Sequence, residues 1–287
     1  ANQMRYTAYR CTSYALWLCL FVRQFYLTWR AGAALSYHQT PFLKKGTFLK
    51  KGRKMDVPSI EQIIKEDIEF LRHCPGRDNC AACEESTCVM VAAVADFPTA
   101  YGHFTIVGFV NNKDGKDHIM IVKGDIGNGE NVLLRVHSAC LTGDALGSMR
   151  CDCGPQLHHA LERIEQEGRG IVLYHQAEGR GIGLVNKLRA YALQDAGYDT
   201  YDANVMLGFP PDARNYEIPA EMLKKIGVKS VRLLTNNPEK VAELEQYGIK
   251  VTERVPHELP PHLHNREYLK TKKERFGHLL ELDHGRD

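Results

Sequence analysis

Apolar residues recur along this chain in two rhythms, alternate or continuous in some stretches and spaced by three or four in others, and their order predicts an architecture. Residues 104–110, 118–122 and 132–136 read as strands, and the turn-forming run Asn111-Asn112-Lys113-Asp114-Gly115 joins the first two as an antiparallel opening. Leu157, Leu161 and Ile164 share one face between Pro155 and Gly168, which predicts a helix. The apolar run 170–174 predicts a strand, and a second helix follows with Leu184, Leu188 and Tyr191 turned inward. Segments 221–226, 230–234, 238–247 and 249–255 continue the alternation, and a charged helix over 266–282 closes the chain. The expected fold is α/β, a layered α/β/α mixed sheet with an antiparallel N-terminal β portion.

Upstream the pattern changes. Ile60, Ile63, Ile64, Ile68 and Leu71 predict one short amphipathic helix over 56–73, with Glu61, Glu66, Asp67 and Glu69 facing solvent. The apolar run 14–22 is too short to cross a bilayer, which needs about 20 residues. Arg5 and Arg10 before it and Ala31-Gly32-Ala33 after it have the layout of a signal peptide, while the lack of acids suits an organellar transit peptide. The near-duplicates Phe42-Leu-Lys-Lys-Gly46 and Phe48-Leu-Lys-Lys-Gly52 form a basic repeat with no evident way to pack as a core. Residues 1–54 are therefore read as a basic low-complexity extension, disordered or not native, with Met55 as the natural start. Residues 55–96 are read as a short helix plus a Cys-containing loop, and 97–287 as the catalytic domain.

Charge sharpens this division. The formal net charge of the 287 residues is +2, but residues 1–55 hold ten Lys or Arg and no acid, leaving 27 basic and 35 acidic groups, a net of -8, on the remainder. Nucleic-acid binding needs a basic face, so it is not expected of this body. Hydrophobic content of 44% and charged content of 25% exclude wholesale disorder and a multi-span membrane architecture. The nine cysteines are odd in number, and Cys151-Asp152-Cys153 is too tightly spaced for an unstrained local disulfide. That usage points to a reducing compartment and metal chemistry, hence a cytoplasmic protein, with organellar targeting by the extension as the alternative. Cys74, Cys80, Cys83 and Cys88 can close a structural zinc site, hold an iron-sulfur cluster, or be free thiols; their spacing does not choose.

Two constellations carry chemistry. Cys140, Cys151 and Cys153 place soft donors around a turn-rich loop, and three protein ligands leave the fourth tetrahedral position for water, as a catalytic zinc requires. Zinc lowers the pKa of such a water to near 7. Spacing leaves open a closed structural site completed by His137 or an outside ligand. The second is Glu178-Gly179-Arg180-Gly181-Ile182-Gly183, between a strand and a helix, where glycines let backbone approach an anion or simply make a turn. Arg135, Arg150, Arg180, Arg189, Arg214 and Lys240 lie near predicted element ends, where they either converge on a polyphosphate or stay solvated.

The segments Arg135-Val-His-Ser-Ala-Cys-Leu-Thr-Gly-Asp144, Arg150-Cys-Asp-Cys-Gly154, Glu178-Gly-Arg180, Asn186-Lys-Leu-Arg-Ala-Tyr-Ala-Leu-Gln-Asp195, Leu207-Gly-Phe209, Leu233-Leu-Thr-Asn-Asn-Pro238 and Glu253-Arg-Val-Pro256 resemble GTP cyclohydrolase II of riboflavin biosynthesis. The resemblance runs from about residue 97 to 280. It implies a zinc- and magnesium-dependent homodimer that opens the imidazole ring of GTP at C8 and releases formate and diphosphate. The implied product is 2,5-diamino-6-(5-phosphoribosylamino)pyrimidin-4(3H)-one, the first intermediate of the pathway. By the same resemblance Cys140, Cys151 and Cys153 hold one zinc per subunit with a water, magnesium accompanies the phosphates, and Tyr191 sits beside the purine. Arg135, Val136, His137, Ser138, Gln156, Glu178, Gly179, Arg180, Thr200, Thr235 and Lys240 match GTP-contacting positions. Asp212 and Arg214 match the family's assigned proton acceptor and nucleophile. An always-protonated guanidinium is a poor nucleophile, so Arg214 is better cast as a clamp on departing diphosphate, oriented by Asp212.

The sequence also departs from the family. Ala139 stands where a Glu is usual, Gln176-Ala177 where Arg-Gln is usual, and Asp202 where a Glu is usual. The alternative is thus a diverged homolog that binds GTP or another purine nucleotide and stops at a formamide intermediate or has a regulatory role. A fusion with dihydroxybutanone phosphate synthase is not expected, because the stretch between Met55 and Phe97 is too short for a second domain.

Overall fold

A computed structural model describes residues 87–282, together with the exposed, helical Glu66 and Glu69. The extension 1–54, most of the helix expected over 56–73, and Cys74, Cys80 and Cys83 lie outside the described residues. Seven strands form one mixed sheet: β1 Val89–Thr99, β2 Gly102–Asn111, β3 His118–Lys123, β4 Val132–Ser138, β5 Gly170–His175, β6 Ser230–Leu234 and β7 Lys250–Val255. Their order is β1-β2-β3-β5-β4-β6-β7. The first three pair antiparallel, as does β3 with β5, while β5, β4, β6 and β7 run parallel.

The expected α/β class and antiparallel opening are thus present. Helices follow in chain order: α1 Leu141–Asp144, α2 Cys153–Glu167, α3 Leu184–Asp195, α4 Thr200–Met206, α5 Glu217–Lys225, α6 Pro238–Gln246 and α7 Arg266–Phe276. The connection from β4 to β5 moves one way across the sheet and those from β5 to β6 and β6 to β7 the other way, so right-handed crossovers put their helices on opposite faces. Packing agrees. Ala160, Leu161 and Ile164 of α2 meet Leu133, Val172 and Leu234 on one face, while Met222 and Leu223 of α5 and Leu244 of α6 meet Leu134, Val136, Leu173 and Leu233 on the other. Strands covered on both faces read as near-continuous apolar runs, which is why β5, and β4 and β6 despite Arg135 and Arg232, were visible in the sequence.

Four elements differ from expectation. β1 starts at Val89, ahead of the domain start expected at 97, because its Val-Met-Val-Ala-Ala-Val run shows no clean alternation along a bulged edge strand. Leu188 of α3 is 48% exposed instead of inward. That helix buries Lys187 and Ala190, since the face it turns inward looks onto a polar site and not onto a core. α4 was not anticipated; Asp199 caps it by accepting from the Asp202 amide at 2.7 Å. α7 stops at Gly277, whose φ of 63° lies in the left-handed region, well short of residue 282.

Candidate active site

The ends of three parallel strands, β4, β5 and β6, deliver their following loops to one place, as open α/β sheets do for ligands. An open cleft forms there, with about 1160 Å³ of empty space when the adjoining open solvent is included. After β4 come Ala139 and Cys140; after β5, Ala177 and the turn Glu178–Gly181; after β6, Thr235, Asn236 and Asn237.

Cys140 caps α1, while Cys151 and Cys153 flank the start of α2. The three sulfurs lie within 4.8 Å of one another, and Cys140 and Cys151 are 3.8 Å apart. A tetrahedron with metal–sulfur bonds of about 2.3 Å has edges of about 3.8 Å, so the pair is spaced as two ligands of one zinc-sized ion. Gly143 makes the room: a Cβ there would stand 2.8 Å from the Cys151 sulfur and 3.2 Å from that of Cys140. No His, Asp or Glu joins this group among the described residues. His137 is turned to Asp144, with Nε2 3.0 Å from both carboxylate oxygens, so it does not close the set. Three soft donors without a fourth fit the open site of a zinc-type ion.

Hydrogen bonds from Cys151 and Cys153, then the Lys187 ammonium, hold the Cys140 thiol far below its ordinary range. Hydrogen bonding to Cys140, then burial, pushes Cys151 up to about 11, and hydrogen bonding to Cys140 and Cys151, then burial, pushes Cys153 well up. A divalent ion among the sulfurs reverses this and deprotonates all three. Lys187 Nζ lies 3.0 Å from the Cys140 sulfur, 2.8 Å from Thr142 Oγ1 and 2.8 Å from Glu178 Oε1. Glu178 in turn accepts from the Leu141 amide at 2.6 Å, tying the β5 turn to the thiol loop. Asp144 accepts from the Cys140 amide at 3.0 Å and from the Tyr174 hydroxyl at 2.8 Å.

Cations gather across the cleft. Arg135 is buried, donates to the Leu234 carbonyl at 2.9 Å and contacts Gln156 Oε1. Gln156 donates to Asp152 at 2.6 Å, and Asp152 also binds Lys272 at 2.6 Å. Arg214 Nε donates to Asp212 Oδ1 at 2.8 Å, Nη2 contacts the second oxygen, and Nη1 reaches Ser138 Oγ at 3.4 Å. Burial works against the Arg214 charge, but Tyr216 and Asp212 outweigh it and keep the guanidinium protonated. Burial also works against the Asp212 carboxylate, yet Arg214 holds it below its ordinary range. Lys240 Nζ donates to the Val136 carbonyl at 2.9 Å; burial, then the charges of Arg135 and Arg214, press its pKa well down. Arg180 takes the left-handed region at φ 59°, and its guanidinium lies 3.6 Å from the Phe276 ring centre. Tyr191 places its hydroxyl 3.3 Å from Thr142 Oγ1, and Arg150 covers its ring at 5.0 Å.

Most of the residues singled out by sequence therefore line one cleft: Arg135, His137, Ser138, Gln156, Glu178, Gly179, Arg180, Tyr191, Thr200, Arg214, Thr235 and Lys240, with the three cysteines. Val136 does not; its side chain is in the core, and its carbonyl is taken by Lys240. Asp212 stands behind Arg214, and Arg189 is exposed and pairs with Asn186 instead of converging. Lys187, Asp144, Asp152, Lys272 and His278 were missed, and a lysine on an inward helix position was the one available signal. Cys88 is partly buried and does not join the cluster of three.

The fold and site define an α/β protein that joins a three-thiol cluster able to hold a metal ion to a cleft lined by cationic side chains. A family model described as GTP cyclohydrolase II matches residues 90–256, more than half of the chain, and this chain belongs to that family. A riboflavin biosynthesis protein RibBA of Bacillus cereus is 57% identical over 224 residues, covering 78% of this chain and 54% of that protein. Proteins of the same name from Bacillus mycoides and Bacillus subtilis are 59% and 57% identical, each covering 64% of this chain and 47% and 46% of their own. The chain spans about half the length of the curated relatives it matches. A solved two-domain 3,4-dihydroxy-2-butanone 4-phosphate synthase from A. baumannii overlaps 58% of this chain and 40% of its own at 17% identity, with a TM-score of 0.30 too low to carry an argument. No helix among the described residues is long and apolar enough to cross a membrane.

Proposed function

We propose that this chain hydrolyses GTP at C8 of its guanine ring, releasing formate and diphosphate and leaving the diaminopyrimidinone ribosylamino phosphate, in riboflavin biosynthesis. The observation that carries the reading is the opening of the Cys140, Cys151 and Cys153 cluster onto the cleft that holds Arg135, Arg180, Arg214 and Lys240. Cys140, Cys151 and Cys153 would hold a zinc ion, which would supply an activated water at neutral pH. Lys187 keeps Cys140 a thiolate, and Glu178 fixes Lys187. Tyr191 orients the base, its hydroxyl held by Thr142. His137, Ser138, Gln156, Gly179, Thr200 and Thr235 provide the polar lining for base and ribose.

Arg214, braced on Asp212, stabilises charge on the leaving diphosphate, and magnesium accompanies the phosphates. The chain acts as a homodimer in the cytoplasm, without nucleic acid or membrane partners. Leu146, Met149, Val185 and Leu188 leave an exposed apolar surface for a second copy; Arg150 beside Met149 bonds Asp195 at the end of the helix that bears Val185. Sedimentation tests the dimer.

A second reading rests on Ala139 and Ala177. Both are buried, both line the cleft, and their amides donate to the same His175 carbonyl at 2.8 and 2.7 Å, so the two small residues are neighbours where the family usually carries larger polar ones. A cleft short of that carboxylate and amide halts at a formamide. Formate, diphosphate and the pyrimidinone followed together after adding GTP to zinc-loaded protein decide the matter. Equal amounts of all three support full turnover. Diphosphate without formate, or release of nothing while GTP stays bound, supports the second reading as a stalled or regulatory homolog, and release of nothing with no GTP bound overturns both.

A further inference from the structure

The family match ends at residue 256, but the cleft wall continues beyond it, through Tyr268, Lys272, His278 and Leu280. This last segment is tied to three parts of the site. Lys272 bonds Asp152 between two of the thiol residues, Phe276 lies against the Arg180 guanidinium, and the Leu279 amide donates to the Asn236 carbonyl at 2.8 Å in the loop after β6. Its place is set by the site itself.

His278 Nε2 is buried and makes no hydrogen bond, and the same is true of Arg180 Nη1 and Arg135 Nε, on two other residues that line the cleft. Lys272, Arg180, Lys240 and Arg214 all lie within electrostatic reach of the His278 ring. Asp152 and Asp212 are the carboxylates paired with these cations, so positive charge is left in excess. Buried nitrogens without hydrogen-bond partners inside a cationic cleft mark where the oxygens of a polyanion belong, although Arg180 Nη1 also lies 3.7 Å from Asp212. A neutral imidazole can carry its proton on Nε2 and donate it to such an oxygen.

We propose that the segment after α7 completes an anion subsite in which His278 Nε2 donates to a phosphate oxygen of the bound nucleotide, beside Arg180 and Lys240. The inference rests on the nucleotide reading above for the identity of the anion, and inorganic diphosphate probes it independently of that reading. The test is calorimetric titration of the full, zinc-loaded chain with diphosphate and, separately, with a non-hydrolysable GTP analogue. His278→Leu should weaken diphosphate binding about tenfold or more, while His278→Gln, whose amide nitrogen reaches the place of Nε2, should stay within about threefold of the parent.

Melting temperature and zinc content report whether His278→Leu still folds. If it does not, His278→Asn replaces it, because its amide reaches only the place of Nδ1 and should lose binding that Gln keeps. Unchanged diphosphate affinity in the Leu or Asn variant, equal loss in the Gln variant, or no diphosphate binding by the parent chain overturns the subsite. Diphosphate binding that His278→Leu or His278→Asn loses, with no binding of the GTP analogue, supports the subsite and sinks the nucleotide reading instead.

Discussion

The Lys187 ammonium stands 3.0 Å from the Cys140 sulfur and 2.8 Å from the Glu178 carboxylate, so one buried charge joins the thiol cluster to the turn after β5. Groups behind metal ligands tune affinity by about 10- to 100-fold. Lys187→Met removes the cation and leaves Glu178 unpaired. Zinc should then pass to a chromogenic chelator at least about tenfold faster than from the parent chain. An unchanged release rate would show that Lys187 does not support the cluster.

Gly143 has no positive φ, so its value is space. A methyl there would meet Cys151 Sγ at 2.8 Å and Cys153 Cβ at 3.0 Å, with Cys140 Sγ at 3.2 Å. Gly143→Ala should therefore spread the three sulfurs and reduce bound zinc severalfold, while a chain folded on two large cores keeps its far-ultraviolet circular dichroism. Full zinc content in Gly143→Ala would show that the cluster tolerates the added carbon.

Cys151→Ser removes one soft donor but touches none of Arg135, Arg180, Arg214 or Lys240. Elemental analysis should find zinc lost and turnover abolished, with GTP binding weakened but present. A zinc-free variant with full activity would overturn the proposed chemistry.

Burial holds His257 down to about 2 and His175 down to about 3. An unfolded histidine titrates near 6.5, so between that pH and the folded values the unfolded chain binds protons that the folded chain refuses. Stability therefore falls as pH falls through that window, by up to about 1.4 kcal/mol per pH unit for each histidine. His257 Nε2 contacts the Gln156 carbonyl at 2.9 Å, a bond a glutamine amide can also donate. His257→Gln should give a shallower fall of Tm between about pH 6.5 and about pH 5 in scanning calorimetry. Parallel curves for the two proteins would remove His257 from the account.

The sequence by itself determined six of the seven strands, all but β1, and much of the site's membership. Strands buried on both faces favour near-continuous apolar runs, so β5 was legible and β4 and β6 remained so despite Arg135 and Arg232, and Cys140, Cys151 and Cys153 carried their chemistry in residue type and spacing. Tertiary structure decided what those residues do for one another. Lys187 looks like an ordinary helical lysine until α3 turns it onto the Cys140 sulfur, and Leu188, apolar and apparently inward, is left exposed by the same rotation. His137 was a fair fourth ligand by sequence; Asp144 claims it in space. Lys272 and Asp152 lie too far apart along the chain for any local pattern to pair them. Local periodicity reports which face of an element is apolar, but the partner of a buried polar group is set by how distant elements pack.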